Sequence, residues 1–167
     1  MDDSVKYGFG PHPIPGSHVF ALTPLSMGFV NLKPVVPGHV LVSPLRNVKR
    51  FADLTAAEVA DLWLLAQRIG ATVERHYGAA SLTLAIQDGP FAGQTVPHVH
   101  IHILPRKAGD FPKNDEVYDA IDRESVQYKA AAAAQPAGEK LDLDKERRVR
   151  SHDDMAAEAA ELRALLQ

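Results

Sequence analysis

The 167 residues contain no cysteine, which excludes a disulfide framework, a cysteine-ligated zinc and a cysteine nucleophile. A basic excess is also missing: 18 Lys and Arg stand against 21 Asp and Glu, a formal net charge of -3. Duplex-binding proteins carry the opposite imbalance, so no nucleic acid partner is expected. No apolar run approaches the roughly 18 to 20 residues that span a bilayer, so no membrane partner is expected either. The stretch Met1-Asp2-Asp3 is acidic with no apolar run behind it, so no secretory leader is expected. The compartment implied is cytoplasmic, with a nuclear pool also allowed. Neither G-x-S-x-G nor a phosphate-loop lysine motif occurs, and no internal repeat is visible.

The rest of the chain reads as one α+β domain over 1–167, with a core of about 8–125. Residues 1–16 are dense in Gly and Pro and predict an irregular arm. Residues 17–23, 25–32 and 39–43 are β-like, the last two forming a hairpin around Lys33-Pro34-Val35-Val36-Pro37-Gly38. A helix is predicted over 56–77. Thr55 and Glu58 make a capping box at its start, and Val59, Leu62, Trp63, Ala66, Ile69 and Val73 form an apolar stripe read as core. Residues 81–87 and 98–104 alternate strictly and predict two antiparallel strands joined by a Gly-rich loop. A further helix is possible over 114–129. Residues 130–140 read as a mobile insertion, and Met155, Ala159, Leu162 and Leu166 as the stripe of a last helix, about 152–166. An antiparallel sheet with helices packed on one face follows.

Chemistry concentrates in His98-Val99-His100-Ile101-His102. Side chains alternate across a strand, so the three histidines share one face and Val99, Ile101 and Ile103 the other. A three-histidine metal site fits poorly, because alternate residues lie about 7 Å apart and the outer pair about 13 Å. A third ligand would have to come from elsewhere, such as His39. No Asp or Glu occurs between 89 and 109, whereas Arg106 and Lys107 do, a field that favours an anionic phosphate ester. Gly89 and Gly93 let backbone approach a ligand, Gln94 and Thr95 offer neutral donors, and Gln87 closes its strand on the same side. A neutral imidazole can then attack phosphorus and carry a covalent intermediate. His39 reads equally as a core histidine or a support for this site. His18, His76 and His152 read as surface residues.

The run His98-Val99-His100-Ile101-His102-Ile103-Leu104 resembles the histidine triad pattern. The stretches IQDGPFAGQTVPHVHIHILPRKAGDF and VNLKPVVPGHVLVSPLR are similar to the fragile histidine triad branch in particular, over roughly residues 8–119 and the tail around Met155. The resemblance implies that fold, with the triad on the sheet face opposite the helices, and hydrolysis of diadenosine triphosphate to AMP and ADP. It implies His100 as the residue that becomes adenylylated, His102 on the α-phosphate oxygens, and His98 orienting His100 through its carbonyl. By the same resemblance His39 packs behind the triad, Asn31 holds the ribose, and Gln87 contacts the substrate near the scissile phosphate. Gly93, Gln94, Thr95 and Val96 form the phosphate loop, and His12 touches the nucleotide from the arm. A homodimer, help from Mg or Mn, no organic cofactor and no structural zinc are also implied. The alternatives are an adenylylsulfatase or nucleoside phosphoramidase using the same histidine, or a slow-turnover nucleotide-binding signalling module, with Tyr118 as a modification point.

Overall fold

A computed structural model describes residues 4–123 and 149–167. The insertion expected at 130–140, and the end of the helix expected over 114–129, lie outside the described residues. The Gly/Pro-rich arm is a two-stranded antiparallel ribbon, β1 (Lys6–Phe9) and β2 (His12–Pro15), with Phe9 opposite His12. Its tight turn needs a left-handed residue, and Gly10 supplies it at φ +55°. The arm was expected to be irregular. It pairs because its prolines fall on β2 and at the turn, where a two-stranded ribbon leaves their missing N–H unneeded.

The main sheet contains β3 (Val19–Leu22), β4 (Ser26–Val30), β5 (Val40–Pro44), β6 (Ser81–Ala85) and β7 (Ile101–Arg106), ordered β3-β4-β5-β7-β6 with every neighbour antiparallel. The expected hairpin is present as β4 and β5. One expectation needs correction: the triad strand begins at Ile101 rather than His98 and runs on to Arg106. The β5–β7 ladder covers only Val40 to Val42 against Ile103 to Ile101. Beyond it the Ser43 hydroxyl donates to the Val99 carbonyl at 2.8 Å, and the Val99 N–H donates to the Val48 carbonyl at 2.7 Å. Those bonds take the groups a longer ladder would need.

Helix α1 (Ala56–His76) opens on the expected capping box. It packs on one face of the sheet together with α3 (His152–Leu165). Leu62, Leu65, Ala66, Ile69 and Val73 of α1 and Met155, Ala159 and Leu162 of α3 bury Val99, Ile101 and Ile103. Trp63, expected in the core, lies at its rim, 37% exposed, and Leu64 beside it is 65% exposed. The helical arc extends one position past the sheet's edge there. On the other face the ribbon covers Phe29 and Leu41 with Phe9. A helix α2, described over residues 116–123, brings Val117 and Ile121 onto Leu104. Among the described residues no helix is long and apolar enough to cross a membrane.

Candidate active site

His98 sits in the bend before β7, fully buried. The Gly10 N–H of the ribbon turn donates to its Nδ1 at 3.1 Å. That nitrogen is therefore bare, the proton is on Nε2, and Nε2–H donates to the Pro44 carbonyl at 2.9 Å. The His98 carbonyl in turn accepts from His100 Nδ1–H at 2.8 Å. With its proton fixed on Nδ1, His100 keeps the lone pair of Nε2 for attack. Burial pulls the His100 imidazole down to about 4, against the opposing effect of its bond to the His98 carbonyl. It is neutral at physiological pH. Phe9 meets it edge-on, with ring centroids 5.1 Å apart.

A second chain of bonds fixes His102. The Val35 N–H donates to His39 Nδ1 at 3.1 Å, so His39 carries its proton on Nε2 and donates it to His102 Nδ1 at 3.0 Å. His102 is left with Nε2–H, a buried donor with no partner among the described residues. An unmatched buried donor is costly, and here it is held in the ring next to His100, centroids 4.9 Å apart. Burial and then the neighbouring His100 and His39 keep His102 well below the usual histidine value. The site thus presents one lone pair and one N–H side by side, as phosphoryl transfer requires of a nucleophile and an oxygen-binding donor. Of the two readings of His39, the supporting one fits: its ring is 1% exposed and spans Val35 and His102.

The other expected residues divide. Asn31 is fully buried against the His39 ring, and its Oδ1 accepts the Lys33 N–H at 3.1 Å. Gln87 is buried, and its amide donates to Asp122 of α2, a residue no local spacing could have flagged. Gly93 adopts φ +86°, and a Cβ there would lie 2.6 Å from the Gln87 amide nitrogen, so only glycine lets the loop close on Gln87. Both ends of the Gln94 amide hold the loop itself, accepting from the Gly89 N–H at 3.0 Å and donating to the Lys49 carbonyl at 2.8 Å. Thr95 lies half-buried beside this turn, and Val96 packs into the core with Phe9 and Leu41.

Two readings are corrected. Arg106 does not face the triad as an unpaired cation. It is 7% exposed and binds Asp110 through two nitrogens, at 2.6 and 3.0 Å, because the acid falls just beyond the acid-free window. His18, expected at the surface, is buried, with Nε2 3.0 Å from His152 Nδ1. His18 stands in the wall of an apolar slot of about 230 Å³ between the ribbon and α3, lined by Phe9, Ile14, Phe29, Leu41, Met155 and others, with His12 also on its walls. Leu41 is the ladder partner of His102, so the slot adjoins the triad.

Comparison with known proteins converges. A family model described as the HIT domain matches residues 15–109. The bifunctional bis(5'-adenosyl)-triphosphatase/adenylylsulfatase FHIT of Arabidopsis thaliana is 58% identical over 160 residues, covering 96% of this chain and 84% of that protein. The bis(5'-adenosyl)-triphosphatase of Dictyostelium discoideum is 48% identical over 159 residues, 95% and 92% of the two chains. Among solved structures, the nitrilase and fragile histidine triad fusion protein of Caenorhabditis elegans superposes with a TM-score of 0.73 at 42% identity, covering 99% of this chain and 31% of that one.

Proposed function

The chain belongs to the HIT domain family, and from that membership we propose that it hydrolyses diadenosine triphosphate to AMP and ADP through an adenylyl-histidine intermediate on His100. The observation that carries the reading is the fixed proton pattern, with Nε2 of His100 bare and Nε2–H of His102 buried without a partner among the described residues. His100 Nε2 forms a bond to the α-phosphorus as the P–O bond to ADP breaks, and ADP leaves as the polyphosphate anion with the electron pair of that bond. Water then attacks the same phosphorus and releases a proton to solvent, the N–P bond breaks with its electron pair returning to Nε2, and AMP departs with His100 restored. His102 Nε2–H takes a non-bridging oxygen throughout, Gln87 and Thr95 border the polyphosphate, and the slot takes the adenine, with Asn31 and His12 on the nucleoside side.

The name of the Arabidopsis relative supports a second activity through the same intermediate, cleavage of adenosine phosphosulfate, in which sulfate leaves in place of ADP. Divalent cations fit this site only as part of the substrate. Among the described residues no group of three His, Cys, Asp or Glu is arranged to hold a metal ion, and the triad's inner nitrogens are committed to hydrogen bonds. Mg or Mn would therefore arrive on the polyphosphate. A homodimer is supported by the outer edge of β6, which carries no charge or proline to block pairing, beside exposed Trp63, Leu64 and Leu84.

The test is hydrolysis of diadenosine triphosphate in ¹⁸O-water by the wild type and His100→Asn. Label in AMP and none in ADP, with a dead variant that still binds nucleotide, is the expected result. Turnover by both proteins would remove the nucleophile from His100. Tight binding with negligible wild-type turnover would favour the signalling module.

A further inference from the structure

Phosphate sites are commonly built from cations, yet the loop between β6 and the triad is approached by an acid. Asp122 lies on α2, and its Oδ1 accepts the Gln87 amide N–H. The same oxygen is 3.0 Å from where a Cβ on Gly93 would stand. One carboxylate therefore touches both Gln87 and the glycine of the phosphate loop, the two places where the polyphosphate is proposed to pass. The Asp122 side chain is exposed, and among the described residues no basic side chain pairs with it. Arg50, which packs on Gly89 of that loop, already binds both oxygens of Asp88, at 3.1 and 3.2 Å. The Arg106 charge is likewise taken by Asp110.

A fixed negative charge in that place acts with a definite sign. Each phosphate of a diadenosine polyphosphate carries a negative charge, so the bare chain is repelled where it reaches Gln87 and Gly93. A divalent cation bound on the polyphosphate cancels most of that charge and, with it, the repulsion. One carboxylate thus separates two forms of the same substrate.

We propose that Asp122 is a specificity-determining residue that makes the site select the divalent-cation complex of its polyphosphate over the bare anion. The inference rests on the polyphosphate lying along Gln87 and the 93–96 loop, as the proposed function has it. If Asp122 did no more than hold Gln87, its charge would be immaterial, and an amide in its place would serve as well.

The experiment is titration calorimetry with diadenosine triphosphate, once in EDTA and once in excess Mg. His100→Asn serves as the non-hydrolysing parent. It is compared with the same chain also carrying Asp122→Asn, which keeps an oxygen to accept the Gln87 N–H, or Asp122→Ala, which does not. Each protein is first shown to melt cooperatively. The parent should bind more weakly in EDTA than in Mg. Asp122→Asn should tighten metal-free binding about tenfold, the size of one partly screened charge contact, and change Kd in Mg by no more than about twofold. Asp122→Ala should move the ratio of the two Kd values in the same direction, since the charge is gone in both variants. Raising KCl in EDTA should bring parent and Asp122→Asn together, because an exposed charge is screened. Equal Kd values for the parent in EDTA and Mg, or a ratio unchanged in Asp122→Asn, overturns the inference. If the parent binds no diadenosine triphosphate and the wild type does not turn it over, the proposed substrate falls and takes the inference with it. If the substrate is bound and turned over while Asp122→Asn keeps the parent's ratio, only the role of Asp122 falls.

Discussion

Three backbone groups decide which nitrogen of each active-site imidazole is protonated. The Gly10 N–H sets the His98 ring, the His98 carbonyl sets His100, and the Val35 N–H sets His39 and through it His102. Losing His102 should cost about 10² to 10³ in kcat, the usual loss for one donor to a developing oxyanion. His39→Gln should fall between that variant and the wild type, since it loosens the His102 tautomer without deleting the ring. Steady-state kcat values order the three proteins. The acid limb of the pH profile belongs to the same scale. The nucleophile must be neutral, and burial holds His100 near 4 rather than 6.5, so kcat/KM should stay flat on acidification through pH 6 and fall with a midpoint near 4. A midpoint near 6.5 would show that the free enzyme leaves this ring solvated. The same shift acts on stability. The unfolded chain takes a proton on His100 below 6.5 that the folded chain refuses until about 4, so this contribution is fully present above pH 6.5 and erodes between those values.

Among the elements, α1 is the best defined by its own sequence. Thr55 and Glu58 satisfy each other's backbone N–H, and Arg46 binds both Glu58 oxygens at 2.7 Å. Thr55→Ala should lower stability by about 1 kcal/mol, read from the urea midpoint at pH 7. The Arg46 hydrogen bond, followed by the Thr55 backbone, holds Glu58 near 2. Its contribution is present above the usual glutamate value of 4.5 and lost as pH falls from there towards 2. The helix was legible because 21 residues of periodic burial outweigh any one tertiary contact. The start of β7 was not. Alternation through His98 to Leu104 looks the same whether or not a ladder partner exists, and only Ser43 and Val48 show that residues 98–100 bond elsewhere. The ribbon was hidden for a related reason, since Gly and Pro punctuate loops and two-stranded turns alike.

For the whole molecule, the unguarded edge of β6 and the apolar rim of α1 form one surface with Trp63, Leu64 and Leu84 exposed on it. Leu64→Glu with Leu84→Glu places charge on that surface and should convert the proposed dimer to monomer, seen as a halved mass by light scattering after size exclusion. An unchanged mass would send the search for an interface elsewhere.

His98, His100 and His102 stood out at residue level because a one-in-two spacing fixes a shared face before any folding is known. The sequence alone determined the sheet's two-sided character, the long helix with its cap, and the histidine cluster as the seat of chemistry, since each depends on neighbours within a few residues. Only the tertiary structure decided what those histidines do. The amides that set the tautomers of His98 and, through His39, of His102 come from Gly10 and Val35, Gln87 is held by Asp122, and His18 is drawn inward by His152, 134 positions away. Proton placement on a buried imidazole is set by whichever groups surround it, and that enclosure comes from packing distant segments together rather than from local spacing.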